Sequence, residues 1–191
     1  MNAMMNNAET LAGGYLAMAQ LFSYPDDASW QKLTRHGLVG PGLTREKLET
    51  DYLDAFETGN DGSPVPLFEG LNRRELGREG ILEDLLRFYE FFDAKLSESD
   101  REYPDHLTTE LEFLAWLCMK EHAARQEGGD AEPYRHAARD FLDRHTGAWV
   151  SGFREKLEAT GTVYGEFGAT LDELVRQHRT LLEEQQDESE A

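Results

Sequence analysis

Three groups of side chains in this sequence have types and spacings that can do chemistry. The densest is Glu102-Tyr103-Pro104-Asp105-His106-Leu107-Thr108-Thr109-Glu110-Leu111-Glu112-Phe113. Asp105 follows a proline and precedes an apolar stripe, so its carboxylate can cap a helix by accepting from backbone N–H groups two or three residues on. On a helix turning about 100° per residue, with His106 at the origin, Leu107, Leu111, Leu114, Leu117 and Cys118 fall between about 20° and 140°. Glu110 falls at about 40°, inside that arc. A carboxylate on an apolar face needs a partner or a raised pKa, and His106, one turn earlier, can be that partner. Two readings stay open: an internal capping network, or a ligand-facing Asp105/His106/Glu110 patch that meets a cationic or hydrogen-bonding group.

The second group is Glu69, which ends the run Pro64-Val65-Pro66-Leu67-Phe68. An apolar, proline-stiffened loop beside an acid can grip a peptide that is part hydrophobic and part basic, or can pack onto its own domain. The third is His145, set between Phe141 and Trp149 at steps of four. There it reads as a satisfied core histidine more readily than as a ligand. Cys118 shares an arc with Leu111 and Leu114 and reads as a buried thiol.

Several catalytic arrangements are absent. There is no Gly-Lys dipeptide for a phosphate loop and no His-Glu dipeptide for a helical zinc protease. None of the six histidines has a Glu three residues before it, which removes the pair that di-iron bundles need. Neither Ser63 nor Ser151 sits in a Gly-x-Ser-x-Gly elbow. A lone cysteine excludes an internal disulfide framework.

The elements that must position these residues are helical. Leu occurs 25 times against 6 for Ile plus Val, whereas a sheet core leans on β-branched residues. Leu11, Tyr15, Met18, Ala19 and Phe22 predict a first helix stopping at Tyr24-Pro25, with a second restarting from Asp26 or Asp27. Thr44 is the expected N-cap of a helix carrying Leu48, Tyr52, Ala55 and Phe56. Gly59 to Gly70 reads as an irregular loop holding Leu67 and Phe68. A helix from about Glu75 to Lys95 has a stripe broad enough to be central, and a polar stretch, Ser97 to Glu102, precedes the next, which should end near Gln126 before Gly128-Gly129. Asp130 opens another, in which Phe141, His145, Trp149 and Phe153 align along one face despite Gly147. Thr162 is the expected N-cap of the last helix, whose stripe ends at Leu182. The expectation is one all-α domain of seven to nine helices over residues 1–191, with its core at about 11–182 and a disordered acidic tail at 183–191.

The chain has 191 residues, 38 acidic against 19 basic, a net charge of −19. That repels phosphate backbones and anionic lipid and favours cationic partners, so neither nucleic acid nor stable membrane association is expected. Solubility alone, or adaptation to a salty cytoplasm, accounts for the acidity equally well. No Lys or Arg precedes Lys32, so Met1 to Phe22 lacks the positive region of an export signal, and the protein is expected in the cytoplasm.

These residues together resemble the TorD/DmsD/NarJ family of maturation chaperones for molybdenum redox enzymes. The resemblance rests on Leu21-Phe22-Ser23-Tyr24-Pro25, on Phe88-Tyr89-x-x-Phe92, on Pro104-Asp105-His106 followed by Glu110-Leu111-Glu112-Phe113, and on Phe141-Leu142-x-x-His145-x-x-x-Trp149-x-x-x-Phe153. It spans about Leu11 to Leu182. The Pro66-Leu67-Phe68-Glu69-Gly70 loop is similar to that of the branch serving type II enzymes of the dimethyl-sulfoxide-reductase family. One departure is Asp93, where the family often has glycine, so the local turn is expected to differ.

The resemblance implies a non-catalytic protein with no metal or cofactor of its own. Its partner would be the apo catalytic subunit of a molybdopterin enzyme, bound through a twin-arginine signal peptide and held for cofactor insertion before export. The peptide-binding residues it points to are Pro64, Pro66, Leu67, Phe68 and Glu69, with Pro104, Asp105, His106 and, from the helical wheel, Glu110. Two other readings stand beside it: an acidic helical adaptor using the Tyr89/Phe92 or Trp149 faces, and an unrecognised nucleotide hydrolase. A monomer and a helix-exchanged dimer are both open.

Overall fold

The computed structural model describes residues 8–59, 63–94, 96 and 103–190. Among them nine helices enclose a single core: α1 (Ala8–Leu21), α2 (Asp27–Arg35), α3 (Arg45–Tyr52), α4 (Glu69–Asn72), α5 (Arg78–Phe91), α6 (Leu107–Gln126), α7 (Glu132–Arg144), α8 (Thr146–Thr160) and α9 (Tyr164–Glu190). There is no sheet among these residues, only one antiparallel bridge between Phe68 and His106. No helix is long and apolar enough to cross a membrane among the residues described.

The local grammar acts as expected at several ends. Asp26 accepts from Ser29 N at 2.7 Å and caps α2, and Thr44 accepts from Lys47 N at 3.2 Å and caps α3. Asp130 accepts from Glu132 N at 2.9 Å and opens α7. α6 ends at Gln126, followed by Gly128 at φ 69°.

α6 is the central element. It packs along α1 and α7, while α8 packs along α9. Leu107, Leu111, Leu114 and Leu117 of α6 are buried. At the other end of the core Phe22, Phe56, Phe153 and Tyr164 meet, with Phe56 and Tyr164 4.7 Å apart. Burial of this kind stabilises by roughly 1.5–3 kcal/mol per large side chain.

Five expectations need correction. α5 is peripheral rather than central: Ile81, Leu85 and Tyr89 are buried, but Phe91 is 82% exposed. It begins at Arg78, after a tight turn at Arg74–Leu76 and Gly77 at φ 75°; Lys95 and the stretch 97–102 lie outside the described residues. The stripe from Phe141 to Phe153 belongs to two helices, broken at His145, whose backbone angles are −122° and −109°. Gly147 marks that joint, because a Cβ there would come 2.4 Å from Leu142 O. The last helix starts at Tyr164, two residues after Thr162, and continues to Glu190. The acidic tail is therefore helical as far as Glu190, in keeping with its Glu and Gln content and its lack of Gly or Pro after Leu182.

Two local features remain: one that the sequence did not signal, and the turn at Asp93, which was expected to differ from a glycine turn and keeps a glycine-like conformation. α3 runs on into a π-helical turn at Leu53–Thr58. Asp93 takes φ 51°, the left-handed conformation that glycine favours and that aspartate tolerates better than most residues.

Candidate functional site

The two segments singled out in the sequence meet. Leu107 N donates to Leu67 O at 2.8 Å and Glu69 N to Asp105 O at 2.9 Å, on either side of the Phe68–His106 bridge. This clasp holds Leu67, Phe68 and Glu69 against Pro104, Asp105 and His106. Pro104 is buried, and its carbonyl accepts from Tyr89 Oη at 2.9 Å, which ties the clasp to α5.

Asp105 does not cap α6. The cap is His106, whose Nδ1 accepts from Thr108 N at 3.2 Å. Asp105 is fully buried and turns the other way, accepting from Gly70 N at 3.2 Å, from Arg78 Nε at 3.1 Å and from Arg78 Nη2 at 3.0 Å. The pairing is the two-pronged arrangement that a planar guanidinium makes with a carboxylate. It holds Arg78 above its ordinary pKa.

Glu110 is also fully buried, as its place in the apolar arc implied. Its partner is not His106. Oε2 accepts from Thr146 Oγ1 at 2.8 Å and from Trp149 Nε1 at 3.1 Å, and Oε1 has no hydrogen-bond partner. Burial, and secondly the charge of Glu69, push the Glu110 carboxyl well above the usual carboxylate range.

Glu69 opens the short helix α4 and is buried as well. It pairs with Arg73 at 2.5 Å and with His145 Nδ1 at 2.9 Å. The other ring nitrogen of His145 lies 3.0 Å from Asp84 Oδ2 on α5, and Arg144 pairs with the same carboxylate. His145 is the satisfied core histidine that the sequence indicated, and it joins α4, α5 and the α7–α8 joint.

What remains accessible is mostly aromatic. Phe68 is half-buried, with the rings of His106 and Tyr103 5.0 and 5.8 Å away and the Arg78 guanidinium 5.3 Å from its centroid. Tyr103 is exposed. Pro64 and Pro66 belong to a neighbouring open groove of about 630 Å³, lined also by Leu71, Arg74, Lys156 and Thr160. The expected binding residues therefore divide among a surface (Phe68, His106), a groove wall (Pro64, Pro66) and an interior (Leu67, Glu69, Pro104, Asp105, Glu110).

Sequence reasoning missed Arg78, Gly70, Asp84 and Thr146. Only Gly70 carried a signal, as the glycine closing the proline loop: a Cβ there would sit 2.4 Å from Arg78 Cγ and 3.0 Å from Asp105 Oδ2. The surfaces suggested for an adaptor also change, because Tyr89 and Trp149 are buried and it is Phe91 that α5 exposes.

The nitrate reductase delta subunit family matches residues 20–155, which contain the whole cluster from Pro64 to Trp149. The chain belongs to this family. It is a member of the TorD/DmsD/NarJ-like group of assembly chaperones for molybdoenzymes. It is 64% identical over 185 residues to the selenate reductase assembly chaperone protein of Thauera selenatis, covering 97% of this chain and 96% of that one. It is 58% identical over 189 residues to the chlorate reductase assembly chaperone protein of Ideonella dechloratans, covering 99% and 98%. A perchlorate reductase assembly chaperone protein of Dechloromonas aromatica is 34% identical over 60% of this chain and 51% of its own. No solved structure matches the chain. Membership of a family of assembly chaperones supports a non-enzymatic role.

Proposed function

We propose that this chaperone acts in the cytoplasm on the apo catalytic subunit of a molybdopterin enzyme. It binds the subunit's twin-arginine leader and holds it for cofactor insertion before export. The observation that carries this reading is the Phe68–His106 clasp, which sets aromatic rings at the surface directly beside a buried carboxylate, Asp105. Such a surface suits a side chain that is both flat and cationic. The adjoining proline groove suits the apolar run that follows the arginines in such a leader. The names of the two long relatives, assembly chaperones of a selenate and a chlorate reductase, support a client among oxyanion reductases, and the resemblance of the Pro66–Gly70 loop is what suggests the branch of type II dimethyl-sulfoxide-reductase-family enzymes. The charge of −19 would speed encounter with a basic leader, and salt would slow it.

The test is capture of the client from its native cytoplasm, followed by calorimetric titration of the chaperone with that client's leader peptide. Binding at micromolar strength or tighter, lost when the two arginines become lysines, supports the reading. Capture of the subunit with no leader binding sinks it and moves the contact to the mature part of the client. Phe91, 82% exposed beside Phe92 at 4.9 Å, is the face that such a second mode would use.

A further inference from the structure

Arg78 makes both of its guanidinium contacts on residues of the clasp. Its Nε and Nη2 take the two oxygens of Asp105, and its Cζ lies over the Phe68 ring, 5.3 Å from the centroid. Asp105 has no exposed surface while the Arg78 side chain is 40% exposed, so the guanidinium covers the carboxylate from the solvent side. Gly70 leaves room for the stem, which passes where a Cβ would be 2.4 Å from Arg78 Cγ. Three donors converge on Asp105, and two of them come from Arg78.

Arg78 is also placed to leave. It is the first residue of α5, it follows Gly77 at φ 75°, and Gly77, Glu79 and Gly80 around it are exposed. The helix is held further along, by Tyr89 on Pro104 and by Asp84 on His145 and Arg144. Swinging the Arg78 side chain outward gives up its contacts with Gly70 and the Phe68 ring but leaves those later anchors of α5 in place. Its cost is the uncompensated carboxylate left behind. A second guanidinium removes that cost, because it restores both prongs and the cation–π contact with Phe68. A lysine brings only a point charge with no fork and restores less.

We propose that the Asp105–Phe68 recess is a binding site for a guanidinium from another chain, filled in this state by Arg78 as an internal stand-in that the incoming arginine displaces. This rests on the reading that the protein binds an arginine-bearing leader, and it assigns that leader's arginine a seat. The resting protein is self-occluded, and its affinity is set by competition with its own side chain.

The experiment uses the full chain, its Arg78→Ala and Arg78→Lys variants, and N-acetyl-arginine amide as the probe, with the lysine analogue as control. Binding is followed by NMR through the ring signals of Phe68, Tyr103 and His106, and in parallel by calorimetry with a twin-arginine leader peptide. Arg78→Ala should bind the arginine probe at least ten-fold more tightly than the unaltered chain and the lysine probe no better. A further Asp105→Asn change should abolish the gain. Arg78→Lys keeps the positive charge and guards against a fold lost with Arg78→Ala; it should show a smaller gain of the same sign. Equal or weaker arginine binding by folded Arg78→Lys overturns the proposal. If the leader peptide binds with equal affinity to all three chains, the stand-in fails while leader recognition survives. If the arginine probe gains and the leader binds to none, the recess stands and the leader reading falls.

Discussion

Trp149 Nε1 donates to Glu110 Oε2 at 3.1 Å, so a residue from the first turn of α6 is held by one from α8, 39 positions later. The bond closes the floor beneath the clasp. Glu110 is fully buried, and its second oxygen has no partner, an arrangement that disfavours the ionised form.

That arrangement fixes a pH response. The unfolded Glu110 carboxyl ionises near 4.5, whereas in the fold it is held higher by burial and by Glu69. The share of stability owed to the protonated acid is present below about 4.5 and is lost as pH rises toward the folded value, at about 1.4 kcal/mol per unit traversed. Glu110→Gln removes the titration. Urea unfolding at pH 5 and pH 8 should find the variant gaining on the unaltered protein as pH rises; parallel curves would mean that Glu110 is ionised in the fold.

His145 supports the same floor from the side. Its replacement by Ala leaves Glu69, which has no exposed surface, with Arg73 as its remaining ion-pair partner, and it unties Asp84 from the α7–α8 joint. The expected loss is about 3 kcal/mol, in the range for breaking a buried pair. Because Asp84 belongs to the same network, Asp84→Asn combined with His145→Ala should cost less than the two singles added together, read by urea titration of all four proteins. Strict additivity would deny the network.

The fold was legible wherever local chemistry decides. Leu in place of β-branched residues, the stop at Pro25 with the helix restarting just after it, and the cap at Thr44 are local, and each is visible in the structure. The break at His145 was not legible, because residues four apart share a face whether one helix or two carry them. Gly147 was visible as a weak helix residue, but its reason is the Leu142 carbonyl across the joint. The helical wheel of α6 located Glu110 correctly in the interior. Its partners Thr146 and Trp149 lie 36 and 39 residues away, and no local pattern names them.

The meeting of the proline loop with Asp105 came from the resemblance and not from spacing, and the pairing of Phe68 with His106 gives it a physical form. The acids Glu69 and Asp105 were expected at a binding surface and are buried, where Arg73 and His145 pair with the first and Arg78 with the second. The basic residues carried no sequence signal. One arginine among 14 looks like any other until its acid is found.

Cys118 is 1% exposed, and burial, with the charge of Glu121 second, pushes its thiol far above the ordinary range. The thiolate is the reactive form. Alkylation by iodoacetamide at pH 8 should therefore be absent on the timescale that labels a free cysteine, and should rise with urea in step with unfolding. Labelling of the folded protein would require an opening that the packing of α6 does not provide.

His178 lies beside that thiol, 4.0 Å from Sγ, with Tyr15 Oη 3.0 Å from its Nδ1. Burial lowers its pKa from 6.5 to about 4. A histidine that stays neutral in the fold but charges in the unfolded chain stabilises the protein fully above 6.5, and that contribution drains away as pH falls toward about 4. The span corresponds to about 3 kcal/mol at about 1.4 kcal/mol per unit. His178→Gln cannot titrate, so the unaltered protein should lose about 3 kcal/mol more than the variant between pH 7 and pH 4, measured by urea unfolding at each pH. Glu110 works in the opposite sense over an overlapping range, which is why the comparison is made against the single variant and not read from the total curve. Equal losses in the two proteins would mean that His178 is solvated or protonated in the fold, and that α9 does not seal against α1 and α6 as the Tyr15 contact requires.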